Sequence, residues 1–114
     1  MTNKIESDGS TSKIDDQIIP EKVITDHEAV PILFHSQKQK ILKFLLEKEM
    51  TIIDLKKATN MNPGTIKRHL TDLVKKGLVK QSRTVINKYS ITMKYYRATA
   101  KQFIIKIKWP KKTD

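Results

Sequence analysis

The sequence predicts a mainly α-helical domain that ends in a small β-hairpin, an α+β fold class. Three observations carry this prediction. Residues 62–77, NPGTIKRHLTDLVKKG, combine a helix start, a helix stop and one apolar stripe. Two shorter amphipathic segments precede them. After Gly77 the apolar period changes from 3.6 residues to 2, which is the period of a strand.

The charge of the chain is divided between an acidic beginning and a basic remainder. The chain has 114 residues and a net charge of +11. Residues 1–30 hold three Lys against seven acids, a net of −4, and residues 31–114 carry the opposite excess, +15. We expect a largely disordered acidic tail over 1–30, one domain over 31–110 and a frayed end over 111–114. Docking of residues 18–30 on the domain is the alternative.

The first helix is predicted over residues 36–48. Ser36 is a plausible N-cap, since its hydroxyl can accept a hydrogen bond from the first turn. One face of this helix is aliphatic and predicts the side that packs in the core: Ile41, Leu42, Leu45 and Leu46.

The second helix is predicted over residues 51–59. Thr51 and Asp54 have the spacing of a capping box, with Asp in the place of Glu. Asn60 follows, and asparagine adopts the left-handed turn conformation at low cost. The predicted core side of this helix comprises Ile52, Leu55 and Ala58.

The third helix is residues 62–77. Asn62 can cap it, Pro63 fits its first position, and Gly77 fits the left-handed position just past its end. Its stripe predicts four core residues: Ile66, Leu70, Leu73 and Val74.

Strands are predicted over 78–86, 94–99 and 103–109, with a turn over 87–93 and a stop at Pro110. A helix over 103–109 is the weaker alternative. Three helices with a hairpin packed beside the third are typical of a winged helix-turn-helix.

A short helix with a small, polar, basic outer face suits the major groove of DNA. Hairpin cations can in turn reach the phosphate backbone or the minor groove. The candidate DNA-binding residues are Asn62, Gly64, Thr65, Lys67, Arg68, Thr71 and Lys75 on the helix, and Arg83, Lys88, Tyr89 and Lys94 on the hairpin. The alternative for both sets is an ordinary solvated, Lys-rich surface.

Residues from Ile41 onward resemble the ArsR-type winged helix-turn-helix regulators, especially archaeal members. The resemblance lies in ILKFLLEKEMTIIDLKKATNMNPGTIKRHLTDLVKKGLVKQ and then KYYRATAKQFII. The positions that match the family pattern are Thr51, Asp54, Leu55, Arg68, His69, Leu70, Leu73, Gly77, Leu78 and Val79, with Tyr95, Tyr96, Arg97 and Ala98 as the second wing strand. The resemblance implies the fold and a regulator that binds DNA.

The chain departs from the metal-sensing members of that family. It has no Cys and no long last helix with Asp and His ligands, and His27, His35 and His69 lack ligand-like spacing. We therefore expect no metal and no cofactor, and the sequence gives no effector. His69 is expected to pack or to make a local hydrogen bond.

Other function classes find no support in the sequence. There is no phosphate loop, nucleophile elbow or paired-His motif, so an enzyme is not expected. No apolar run approaches the ~18 residues of a membrane helix, and the N-terminal residues lack the apolar core, roughly 7–15 residues long, that is expected of a signal peptide. We expect a soluble cytoplasmic protein.

These observations predict a sequence-specific double-stranded DNA-binding transcriptional regulator, a repressor that acts as a homodimer. Candidate dimer surfaces are residues 31–48 and 103–109. The alternative is an architectural or protein-interaction winged helix that binds DNA weakly and without sequence preference.

Overall fold

The computed structural model describes residues 18–111. They form four helices and four strands in the following order: β1 (Ile19–Ile24), α1 (Ala29–Leu33), α2 (Ser36–Glu47), α3 (Ile52–Thr59), α4 (Pro63–Lys75), β2 (Val79–Ile86), β3 (Thr92–Ala98) and β4 (Ala100–Ile105). Helices α2 to α4 followed by the β2–β3 hairpin are the predicted winged helix-turn-helix, so the fold class is confirmed.

The three long helices enclose one aliphatic core. Residues with no more than 2% of their surface exposed include Ile41, Leu45, Leu55, Ile66, Leu70, Leu73, Leu78 and Val79. They come from α2, α3, α4 and the start of β2, so the core fixes the hairpin base against the helices. Burial of side chains of this size is the main favourable term in holding the elements together.

Local capping signals place the helix ends largely as predicted. Thr51 Oγ1 accepts from Asp54 N, and Asp54 Oδ2 accepts from Thr51 N, so the capping box of α3 is formed. Asn60 and Gly77 have φ of 61° and 74°. The expectation that Ser36 caps α2 is wrong. The cap is His35, whose Nδ1 accepts from Lys38 N, and Ser36 is the first helical residue.

The hairpin is tied to the helical body through the α2–α3 loop. Strands β2 and β3 pair antiparallel from Val79 with Ala98 to Ile86 with Thr92. Met50 in the loop exchanges both backbone hydrogen bonds with Tyr96, at 3.0 and 2.8 Å. This isolated β-bridge at Met50 joins the helices to the hairpin.

Part of the expected disordered tail is a strand. β1 pairs parallel with β4, from Ile19 with Ala100 to Ile24 with Ile105, and Ile24 is buried. The expected domain start at residue 31 is therefore wrong, and docking of residues 18–30 is what the structure has. The physical reason is that β4 supplies backbone partners and apolar cover. The remainder of the tail, residues 1–17, and residues 112–114 of the expected frayed end lie outside the described residues.

Two other expectations fail at the edges of elements. Ala58 and Val74 were predicted to be core residues, but both are exposed, and Thr59 is buried at the end of α3 instead. The predicted last strand over 103–109 begins earlier and ends at Ile105, and Trp109 is 89% exposed. Within the described range no helix has the length and apolar character to cross a membrane.

Candidate nucleic-acid interface

Helix α4 begins in a conformation that leaves its first turn open to a partner. Asn62 Oδ1 accepts from Gly64 N at 2.7 Å, and Pro63 occupies the first position, where no donor is needed. A Cβ added to Gly64 would lie 3.1 Å from Asn62 Oδ1. Because Gly64 has no side chain, it leaves room for the capping amide of Asn62 and adds no bulk to the first turn of α4.

The predicted basic residues of α4 lie together on its exposed side. Lys67, Arg68, Thr71 and Lys75 are exposed and Thr65 is half-buried. Thr71 Oγ1 donates to Lys67 O at 2.9 Å, so its proton is used within the helix and the hydroxyl can act toward a partner only as an acceptor. This surface combines cations with one hydroxyl acceptor.

Asp72, the single acid of α4, forms an ion pair with Lys38 of the neighbouring helix α2. Asp72 is half-buried, and its Oδ2 lies 3.3 Å from Nζ of Lys38, a buried lysine of α2. The pairing reduces the negative potential next to Arg68 and Thr71. The outer face of α4 is thus more positive than its sequence alone indicates.

His69 faces the interior and not the partner side. Its Nε2 lies 2.9 Å from Gln37 Oε1, and its ring centroid lies 5.0 Å from that of His35. Burial lowers the pKa of His69, and the nearby cations Lys38 and Arg68 act in the same direction. The expected packing of His69 is confirmed, but its hydrogen bond is not local: it joins α4 to Gln37 of α2.

A groove runs between α4 and the hairpin. Its walls come from α4 on one side and from the two strands on the other, and they include Lys67, Thr71, Lys75, Gln81, Lys94 and Tyr96. Lys67 and Lys94 also line the continuation of this groove toward the start of α3. Sequence reasoning placed both lysines in the site, and the structure brings them to facing walls.

Arg83 is held by the body of the protein. Its Nε lies 2.6 Å from Glu49 Oε2, and its guanidinium stacks 4.1 Å above the centre of the Tyr95 ring. Ser82 Oγ donates to the other oxygen of Glu49 at 2.7 Å. A β-bulge between Gln81 and Arg83 lets these two successive side chains reach the same carboxylate. The prediction of Arg83 as a wing cation missed this pairing.

The end of the hairpin carries the other two predicted residues. Lys88 and Tyr89 are exposed, and Lys88 Nζ lies 5.3 Å from the centre of the Tyr89 ring. They follow Asn87, whose side chain shapes the turn by accepting from Tyr89 N and Ile91 N. The loop therefore presents a cation beside an aromatic ring.

The C-terminal end of α4 is clamped by the N-terminal segment. Lys76 Nζ lies 3.1 Å from Asp26 Oδ2 and 2.8 Å from Glu28 Oε1, and Lys22 Nζ donates to Gly77 O at 2.6 Å. The backbone N–H of Glu28, which donates to Asp26 Oδ1, and then Lys76 lower the pKa of Asp26. Lys76 also lowers the pKa of Glu28, and the two carboxylates raise the pKa of Lys76. Asp26 and Glu28 thus engage Lys76 at the C-terminal end of α4.

Sequence reasoning missed residues that position the site without facing the partner. Glu49, Gln37 and Asp26 act across long sequence separations, at which spacing gives no signal. Among residues 18–111 no group of three or more His, Asp or Glu side chains is arranged to hold a metal ion.

Helices α2 to α4 share one core, and the basic hairpin packs beside α4. This arrangement defines the described domain as a winged helix-turn-helix. Residues 35–81 match the family model of bacterial regulatory proteins of the arsR family. The matched segment runs from the cap of α2 through α4 into β2, which is the helix-turn-helix itself. No curated protein matches the chain.

The chain is also similar to a solved structure of a transcriptional regulator, HlyU from Vibrio vulnificus CMCP6. The two share 20% sequence identity with a TM-score of 0.51 over 62% of this chain and 68% of that one. At this identity the similarity supports the winged helix-turn-helix fold.

Proposed function

We propose that the protein is a sequence-specific, double-stranded DNA-binding transcriptional regulator. The observation that carries this proposal is the exposed basic side of α4, with Lys67, Arg68, Thr71 and Lys75, facing Lys94 across a groove. A helix of this width fits the major groove, where Arg can form two hydrogen bonds to guanine. The match of residues 35–81 to the arsR family supports the same function. The likeness to archaeal members stays an expectation from the sequence.

The roles of the candidate residues divide by position. Arg68 lies on the outward side of α4 and Thr71 at the edge of the groove, and we assign both to base edges. Lys67 and Lys94 line facing walls of the groove, and we assign them to the phosphate strand that passes between α4 and the hairpin. We assign Lys75 and Lys88 to further phosphate contacts on either side of this strand. The remaining candidates accompany them: Asn62, Gly64 and Thr65 at the start of α4, and Tyr89 beside Lys88. Arg83 acts through the hairpin, because its Nε is paired with Glu49.

We further propose that a homodimer binds and represses by occluding a promoter. One helix buries little surface, whereas a two-fold dimer places two such helices ~34 Å apart on one face of the duplex. Both candidate surfaces carry exposed apolar side chains: Phe34, 63% exposed, within residues 31–48, and Ile105 and Trp109 within 103–109. Sedimentation with and without DNA tests the dimer, and a monomeric mass at tens of micromolar that DNA leaves unchanged would exclude it.

The experiment that tests the function is selection of preferred sites from a random DNA pool, followed by titration. A regulator should prefer its selected site over random DNA by roughly 10³-fold or more. Equal affinity for both would favour the alternative, an architectural or protein-interaction module.

Salt dependence gives an independent test of phosphate contact. If a dimer neutralises about 8 phosphates, the slope of log affinity against log salt should be near −7. A slope shallower than about −2 would contradict the DNA-binding function.

A further inference from the structure

The tip of the β2–β3 hairpin is apolar as well as basic. Within six consecutive positions, Ile86, Tyr89 and Ile91 expose 68%, 70% and 57% of their surfaces. A hairpin that only neutralised phosphates would need cations and would gain nothing from exposed isoleucines, which reduce solubility. The tip therefore has the composition of a contact surface for an apolar target.

The tip is held in one conformation by its own hydrogen bonds. Asn87 Oδ1 accepts from Tyr89 N at 2.8 Å and from Ile91 N at 3.0 Å, and Asn87 N donates to Ile91 O at 2.9 Å. Ser90 takes a left-handed conformation with φ of 62°. Little conformational entropy is lost when such a preformed loop binds.

Charge identifies the class of the target. The sequence has no Asp or Glu from Leu73 to Thr113, and the hairpin within that stretch carries five cations: Lys80, Arg83, Lys88, Lys94 and Arg97. The apolar tip therefore belongs to a hairpin that contributes cations and no acid of its own, although Glu49 pairs with Arg83 nearer its base. It is continuous with the groove that Lys67 and Lys94 line. A polyanion with apolar walls fits this combination, and the minor groove of DNA, lined by sugars, is such a target.

We propose that Ile86, Tyr89 and Ile91 form an apolar wedge that enters the minor groove beside the α4 site and bends the DNA. This inference rests on the proposed function and extends it from contact to deformation. The minor groove of B-DNA is about 6 Å wide. Two paired strands lie about 4.8 Å apart before side chains are added. The tip enters only if the groove widens, and apolar wedges that open the minor groove kink the duplex toward the major groove.

The wedge adds a sequence preference at base pairs that no side chain reads. Pyrimidine–purine steps such as TA and CA unstack and kink most easily. Sites selected from a random pool should therefore be enriched in such a step beneath the wing, to the side of the bases that α4 reads. Replacing that step by a stiff A-tract should reduce affinity about 5- to 20-fold while the α4 half of the site is intact.

The closing experiment measures the bend directly. Duplexes carrying the selected site or a random sequence are labelled at both ends for energy transfer, and the full-length protein is added at saturation. We expect a bend of roughly 20–90° with the wild-type chain. The double variant I86T/I91T keeps β-branched residues in and beside the strands, so the hairpin should persist, but it removes most of the apolar tip.

Ile19→Thr is the matched control, since Ile19 is an exposed isoleucine in β1. We expect I86T/I91T to bind the selected site with most of the bend lost and affinity reduced about 5- to 50-fold, while Ile19→Thr bends DNA like the wild type. Thermal unfolding of both variants checks that the fold is kept.

A straight duplex in a wild-type complex that still prefers its selected site would overturn the wedge alone and leave the regulator intact. An unchanged bend with I86T/I91T would also overturn it. So would a change in oligomeric mass without a change in bend, because the tip would then be a protein contact. Absence of any preferred site would instead overturn the proposed function, and the bend on the random duplex would still test the wedge.

Discussion

Helix α4 and the β2–β3 hairpin face the same groove, but they are held in place by different forces. Ile66, Leu70 and Leu73 anchor α4, and none exposes more than 2% of its surface. Beyond its buried base, the hairpin is held by polar contacts: Glu49 to Ser82 and Arg83, and the backbone of Met50 to Tyr96. Burial couples the position of α4 to global folding, whereas the position of the hairpin depends in addition on polar contacts that a single substitution can remove.

The largest effect should come from the core side of α4. Leu70→Ala removes a buried side chain and leaves a cavity, so we expect a loss of about 2–5 kcal/mol in the free energy of unfolding. Val74→Ala on the same helix is the control, because Val74 is 41% exposed and its loss should stay near 0.5 kcal/mol. Urea unfolding measures both. Equal losses would mean that α4 is not anchored by burial.

The outer side of α4 should separate specificity from affinity. Arg68→Ala should cost roughly 1–3 kcal/mol of binding free energy on the preferred site and far less on random DNA. Lys88→Ala in the hairpin should weaken both about equally, because a phosphate contact carries no sequence information. Titration against both duplexes decides. Parallel losses for Arg68→Ala would reduce Arg68 to a phosphate contact.

Loss of the Glu49 charge, which pairs with Arg83 of the hairpin, should have a smaller effect on the free energy of unfolding. Glu49→Gln keeps the size of the side chain and a hydrogen bond to Ser82, but it removes the charge that pairs with Arg83. We expect about 1 kcal/mol of lost unfolding free energy, together with weaker binding to the preferred site. Glu47→Gln, at an exposed position of α2, is the control. Unchanged DNA affinity with Glu49→Gln would show that this ion pair does not position the hairpin.

The smallest effect should be a pH dependence of the free energy of unfolding that arises from His69, on the buried side of α4. Because burial lowers the pKa of His69, the unfolded chain binds its proton more readily than the folded one. His69 therefore costs no stability above the ordinary histidine pKa of about 6.5. Its destabilising effect grows as the pH falls from there toward the folded pKa.

The measurement is urea unfolding at pH 7.5 and 5.5. His69→Gln should flatten the loss of stability on acidification. If His69→Gln loses as much unfolding free energy between pH 7.5 and 5.5 as the wild type does, the pH dependence comes from other groups.

Local chemistry let the sequence predict the helix-turn-helix almost to the residue. The capping box at Thr51, the left-handed Asn60 and the Asn62–Pro63 start each depend on neighbours within a few positions. The same spacing placed Lys67, Arg68, Thr71 and Lys75 on one exposed side of α4. A helix fixes such relations by its period, whatever the rest of the chain does.

Tertiary structure alone decided which surfaces are covered and which polar groups meet. Val74 satisfies the period of the stripe, yet it lines the open groove beside the hairpin and 41% of its surface is exposed. β1 forms because β4, distant in sequence, offers it an edge. Arg83 has the composition of a wing cation, yet the bulge and the α2–α3 loop bring it to Glu49. Periodicity determines which side chains share a face, but burial and pairing depend on elements far along the chain, and only the folded chain brings those together.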